Sequence, residues 1–146
     1  LSGAIQVQGL ETHPILMLKV SRPAAVDRAL QIAGQTEVET FHVTLARLDN
    51  LALQLGSNVR LPAPPSALRL SGDIRLVDTG IKRSCYVEVD GQGQEQLRSY
   101  IASCELALGV SLGCESRVFH VTLTNAGGGG VRSSVGAVWE YPSIVL

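Results

Sequence analysis

Phe41-His42-Val43-Thr44-Leu45 recurs letter for letter as Phe119-His120-Val121-Thr122-Leu123. Two of the three histidines in the chain sit in these copies. Each copy alternates apolar with polar residues and is rich in β-branched and aromatic members, the pattern of a half-buried strand. Successive side chains on a strand point to opposite faces. Phe41, Val43 and Leu45 are therefore expected to face a core, as are Phe119, Val121 and Leu123. His42 and Thr44 then share the other face, and His120 and Thr122 do the same.

The chain around each copy reads alike. Before the first copy, Ile15 to Val20 reads as a buried strand. A helix follows, with Pro23 near its start and Gly34 past its end. Its apolar face is Val26, Ala29, Leu30 and Ala33. A polar link from Gln35 to Thr40 leads into the strand Phe41 to Arg47. Before the second copy, Cys85, Val87 and Val89 alternate with polar neighbours as a strand. The helix from about Gln92 to Leu108 presents Leu97, Tyr100, Ile101, Cys104 and Leu108, and Gly109 stands where a terminal glycine belongs. The strand from about Arg117 to Thr124 carries the second copy. Each half is thus strand, helix, strand, which is an internal structural repeat. The expectation is a single domain over 1–146, with pseudo-repeat halves at about 15–56 and 67–146.

Between and outside the halves the reading is coarser. Residues 1 to 14 read as irregular, punctuated by Gly3, Gly9 and Pro14. Asp49 is expected to cap a short helix from Asn50 to Leu55. Gly56 to Ser66, with Pro62, Pro64 and Pro65, is a connector. Leu68, Leu70, Ile74 and Leu76 alternate as one long strand or two short ones, with Gly72 a bulge candidate. Asp78-Thr79-Gly80 is a turn. After Gly127 to Gly130, alternation at Val135, Ala137, Trp139 and Tyr141 predicts a closing strand.

Composition limits the function classes. In 146 residues, 45% are hydrophobic and 17% charged, enough for a real core and too apolar for disorder. A formal net charge of −1 argues against wrapping long nucleic acid by charge, though a small nucleotide or strand end stays allowed. The apolar runs are too short for a membrane span. The chain opens on Leu1 without a secretory signal pattern, so the native start is not legible. Cys85, Cys104 and Cys114 lack metal-type spacing and fit reduced thiols in a cytoplasmic protein. His13, before Pro14, reads as a structural or solvated histidine.

Two imidazoles and two hydroxyls brought to one pocket can cleave a phosphodiester. The reaction needs a base for water, an acid for the leaving oxygen and donors for the non-bridging oxygens. With an ordinary pKa near 6.5, one imidazole can be neutral while the other is protonated. Thr44 and Thr122, each two residues from its histidine, can donate to the same phosphate.

With both His-Val-Thr-Leu motifs intact on strands half a domain apart, the chain resembles the two-histidine (2H) phosphoesterases. That resemblance implies an α+β fold with two lobes related by a pseudo-two-fold axis. Antiparallel sheets would line a central cleft, with helices packed outside. It implies metal-independent cleavage of a 2′,3′-cyclic phosphate, or of a 2′–5′ or 3′–5′ linkage in an RNA end or small nucleotide. His42 and His120 would share the acid and base roles, in an order that the near-identical motifs leave open; Thr44 and Thr122 would hold the phosphate, and no cofactor would be needed. The region after the second motif is similar to compact members from bacteria and their viruses, some of which degrade cyclic oligonucleotide immune signals. That makes a cyclic oligonucleotide an alternative substrate, and a nucleotide-binding protein without turnover is a further alternative. Around the site, Trp139 and Tyr141 are candidates for stacking on a base. Arg117 and Arg132 are candidates for reaching a phosphate. The glycine run lacks the ending of a P-loop and reads as a flap or long turn.

Overall fold

A computed structural model describes residues 3–12, 15–47, 60–114, 116–127 and 134–146. The elements in chain order are β1 (Gly3–Glu11), β2 (Leu16–Val20), α1 (Ala25–Ala33), β3 (Thr36–Glu37), β4 (His42–Ala46), β5 (Ala67–Asp78), β6 (Arg83–Val89), α2 (Gly91–Leu108), β7 (His120–Asn125), a one-turn 3-10 helix (Val138–Glu140) and β8 (Ser143–Val145). The fold is α+β, with eight strands in one sheet and two α-helices among the described residues. Strand order is β1-β2-β4-β7-β6-β5-β8, β3 adds to β7, and every pairing among the described residues is antiparallel.

The order has an internal match. β1, β2, α1 and β4 follow one another as β5, β6, α2 and β7 do, and the adjacencies β1-β2-β4 and β5-β6-β7 are equivalent. The halves meet where β4 pairs with β7. They meet again where Gly3–Gln6 of β1 pairs with Ala67–Leu70 of β5. Since β1 also pairs with β2, the pairing path returns to its starting strand.

Alternation decides which face of this sheet is dry. Leu16, Leu18, Val43, Leu45, Val87, Val121 and Leu123 are fully buried with Val26 and Ala29 of α1 and Leu97 and Ile101 of α2. Both helices therefore cover the face opposite the two motif histidines. α1 ends at Gly34, whose φ of 63° only glycine adopts at little cost. α2 starts at Asp90, whose carboxylate accepts a 2.8 Å hydrogen bond from the Gly93 N–H. A smaller cluster forms on the histidine face, where Val135, Val138 and Trp139 pack on Val77 and Tyr86.

Three expectations are corrected. Residues 3–11 are strand, not irregular, because Ile5 enters the core. Its glycines do not break it: Gly9 falls at a register shift against β2, and Gly3 lies against Leu70. The polar link after α1 contains β3, which pairs Thr36 and Glu37 with Asn125 and Thr124. The closing strand through Val135 to Tyr141 does not form. Val135 and Val138 are both buried, a spacing of three that an alternating strand would send to opposite faces, and the chain takes a single 3-10 turn over Val138–Glu140. The chain becomes strand again only at β8, after Pro142. Gly72 lies within the register shift of β5 against β6, as a bulge glycine should. His13, the Asp49–Leu55 helix, Arg132 and Gly128 to Gly130 lie outside the described residues. No helix among the described residues is long and apolar enough to cross a membrane.

Candidate functional site

Val43 pairs with Val121 across β4 and β7, and both are fully buried. These are the central residues of the two pentapeptides. Antiparallel register about this pair puts His42 level with Thr122 and Thr44 level with His120. Because the valines point into the core, all four polar side chains point to the opposite face. The neighbouring strands extend that face. On β6, Glu88 stands opposite His120 and Tyr86 opposite Thr122. On β2, Lys19 stands opposite His42 and Met17 opposite Thr44.

The two imidazoles are held alike. His120 Nδ1 lies 3.1 Å from the Val118 carbonyl, two residues back. A carbonyl only accepts, so Nδ1 carries the proton and Nε2 keeps its lone pair for the site. His42 bonds the main chain of Thr40, also two residues back. Tyr86 meets the His120 ring edge-on at 5.5 Å between centroids, and Trp139 does so at 6.3 Å. His120 is only 8% exposed. That burial, with smaller contributions from Arg117 and His42, pulls its pKa down to about 4. Burial also lowers the His42 pKa, and Arg47 adds to the effect. Both rings are thus neutral at neutral pH. A phosphate placed between them favours the protonated form of either.

Other elements fix the approach to the second motif. The Gln94 side chain, from α2, donates to the carbonyls of Val89 (2.9 Å) and Phe119 (2.7 Å) and accepts from the Phe119 N–H (2.9 Å). Arg98, one turn on, donates to the carbonyls of Cys114 and Arg117. Its guanidinium lies 5.5 Å from the centroid of the Phe119 ring. The residue before His120 is therefore held on both sides. Past the far end of β7, buried Ser84 donates to Asn125 Oδ1 (2.8 Å) and accepts from the Val135 N–H (3.0 Å). Asn125 donates to Ser134 Oγ (3.0 Å). This chain of bonds ties the segment that carries Trp139 to the sheet.

The structure brings together His42, Thr44, His120, Thr122, Trp139 and Arg117, whose guanidinium carbon is 4.9 Å from the Trp139 ring centroid. Tyr141 is 42% exposed and follows the 3-10 turn, so it does not share a strand face with Trp139. The strand pattern alone does not say whether Tyr86, Lys82 or Arg83 lines the site. Tyr86 is in the site. Arg83 pairs with Asp78 at the β5–β6 turn, where Lys82 also lies, away from His120. Gln94, Arg98, Glu88 and Arg47 were missed. The alternation of β6 could have flagged Glu88, whereas nothing local marks Gln94 or Arg98.

No protein-family model, curated protein or solved structure matches the chain. The functional reading therefore stands on the geometry of the site and the motif resemblance.

Proposed function

We propose that the protein is a phosphodiesterase of the two-histidine type, hydrolysing a nucleotide phosphodiester without a metal. One observation carries the reading: two identical His-Val-Thr motifs lie on adjacent antiparallel strands, centred on the Val43–Val121 pair. A half-exposed strand with no function explains one such motif. It does not explain two that turn both imidazoles and both hydroxyls to the same face. The matched order of β1-β2-α1-β4 and β5-β6-α2-β7 supports a two-lobed, pseudo-two-fold architecture with the site between the halves.

In this mechanism the phosphate lies between the rings, and Thr44 and Thr122 donate to its non-bridging oxygens. One histidine, neutral, takes a proton from water at Nε2 as the water oxygen bonds to phosphorus. The other, protonated in the presence of the phosphate, gives its proton to the leaving oxygen as that bond breaks. His120, the more buried and more strongly depressed ring, suits the base, and His42 suits the acid. Trp139 offers an aromatic surface to a base beside the phosphate. The substrate class is a 2′,3′-cyclic phosphate or a 2′–5′ or 3′–5′ linkage, with cyclic oligonucleotides as the alternative.

The deciding assay incubates the protein, with chelator present, with a 2′,3′-cyclic nucleotide and with cyclic di- and trinucleotides. Turnover by the parent protein that disappears in His42→Ala and in His120→Ala is the expected result. Undiminished turnover in both variants would remove the two-histidine mechanism. Binding of these ligands without any turnover would favour a nucleotide-binding protein.

A further inference from the structure

Because β4 and β7 are antiparallel, the end of β4 lies beside the start of β7. Arg47 follows β4 directly and Arg117 stands three residues before β7. Two guanidinium groups thus arrive at one end of the histidine face. Arg117 lies over Trp139, whose ring neighbours His120. Arg47 reaches the same segment: its Nη1 is 3.7 Å from where a β-carbon on Gly136 would stand. The two cations also sense each other, and each senses one histidine, Arg47 with His42 and Arg117 with His120.

Converging like charges, one of them half-buried, repel each other. Arg22, Arg75 and Arg83 each pair with a carboxylate, but neither Arg47 nor Arg117 does so among the described residues. An anion supplied from outside offsets the repulsion, and guanidinium pairs suit phosphate oxygens. The Trp139 ring adjoins both Arg117 and His120, so an aromatic surface that suits a nucleobase borders the arginine pair and the histidine alike.

We propose that Arg47 and Arg117 form a second phosphate subsite, which takes the phosphate on O5′ of the nucleoside whose diester is cleaved. This rests on the phosphodiesterase reading and narrows its substrate class. The preferred substrate carries at least two phosphates separated by one nucleoside, and a lone 2′,3′-cyclic phosphate is a poor one. The second phosphate can be a terminal monoester or a neighbouring diester.

Three probes separate these cases: uridine 2′,3′-cyclic phosphate, the same nucleotide with a 5′-phosphate, and a uridine dinucleotide ending in a 2′,3′-cyclic phosphate. Their affinities are measured by titration calorimetry on a His42→Ala/His120→Ala double variant, so that turnover does not consume them. The expected result is binding tighter by about ten-fold or more when a second phosphate is present. A preference confined to the 5′-phosphorylated nucleotide assigns a terminal monoester, and one shared by the dinucleotide assigns a diester. Adding Arg47→Gln or Arg117→Gln is expected to reduce the preference to about three-fold or less. Arg47 is exposed, so Arg47→Gln decides the matter even if Arg117→Gln does not fold. Equal affinity for all three probes, no binding of any, or a preference that survives both substitutions would overturn the subsite. A parent protein that turns over none of the probes, with the binding preference intact, would instead remove the phosphodiesterase reading and leave the subsite standing.

Discussion

Val43 and Val121 face each other across β4 and β7, both fully buried, at the centre of the two repeated pentapeptides. The pairing turns a repetition in the chain into a single site. This register sets each motif histidine level with the threonine of the other motif, and a slip by one residue would put an imidazole toward the core.

Exchange of either histidine for asparagine is expected to lower kcat by about 10²- to 10⁴-fold. The double exchange should cost little more than the worse single one, because acid and base act in one step. Steady-state rates for the two single variants and the double variant check this. Additive losses would indicate independent roles.

Acid should destabilise the fold through His120. Its folded pKa of about 4 lies below the unfolded value near 6.5, so the unfolded chain binds more protons between those limits. The stabilisation is complete above about pH 6.5 and is lost as pH falls toward 4, by on the order of 3 kcal/mol. Urea unfolding at several pH values in that window measures the slope. His120→Asn should flatten it, leaving the smaller contribution of His42.

Gln94 is expected to act through Phe119. Gln94→Leu removes the bonds to the Val89 and Phe119 carbonyls and to the Phe119 N–H. Stability should fall by about 1–3 kcal/mol. Because His120 follows directly, kcat should fall several-fold while KM changes little, whereas Gln94→Glu, which keeps an acceptor for the Phe119 N–H, should retain part of the rate. A stability loss with unchanged kcat would mean that Gln94 only supports the fold.

Ser84→Ala should unpair the Val135 N–H and remove a donor from Asn125, both buried. A loss of about 1–3 kcal/mol is expected. The freed segment carries Trp139, so substrate affinity should weaken as well. Denaturant midpoints and KM, measured together, test both parts.

Backbone freedom does not explain Gly93. A β-carbon there would collide with the Val89 side chain, because the first turn of α2 lies directly against the end of β6. Gly93→Ala should destabilise the protein by about 1–3 kcal/mol despite alanine's better helix propensity. A neutral or stabilising effect in thermal unfolding would show that Val89 yields easily.

The sequence by itself determined the two halves, the helices with their glycine ends, and the pairing of His42 with Thr44 and of His120 with Thr122 on one face of each motif strand. These are legible because periodicity and capping are local, and because one pentapeptide is written twice. It could not determine that β1 exists, since Gly3 and Gly9 look like breakers until β2 and β5 supply partners for the strand. It placed Trp139 and Tyr141 on one alternating strand, where Val135 and Val138 are both buried against Val77 and Tyr86 and a 3-10 turn over Val138–Glu140 replaces the strand. Only the tertiary structure decided that Gln94 and Arg98 reach the residues before β7, and that Arg47 and Arg117 meet at one end of the site. Those relations depend on strand adjacency between residues distant in the chain. The Val43–Val121 pair belongs to both accounts: the identical neighbours are in the sequence, and their meeting across one strand boundary is the work of the sheet.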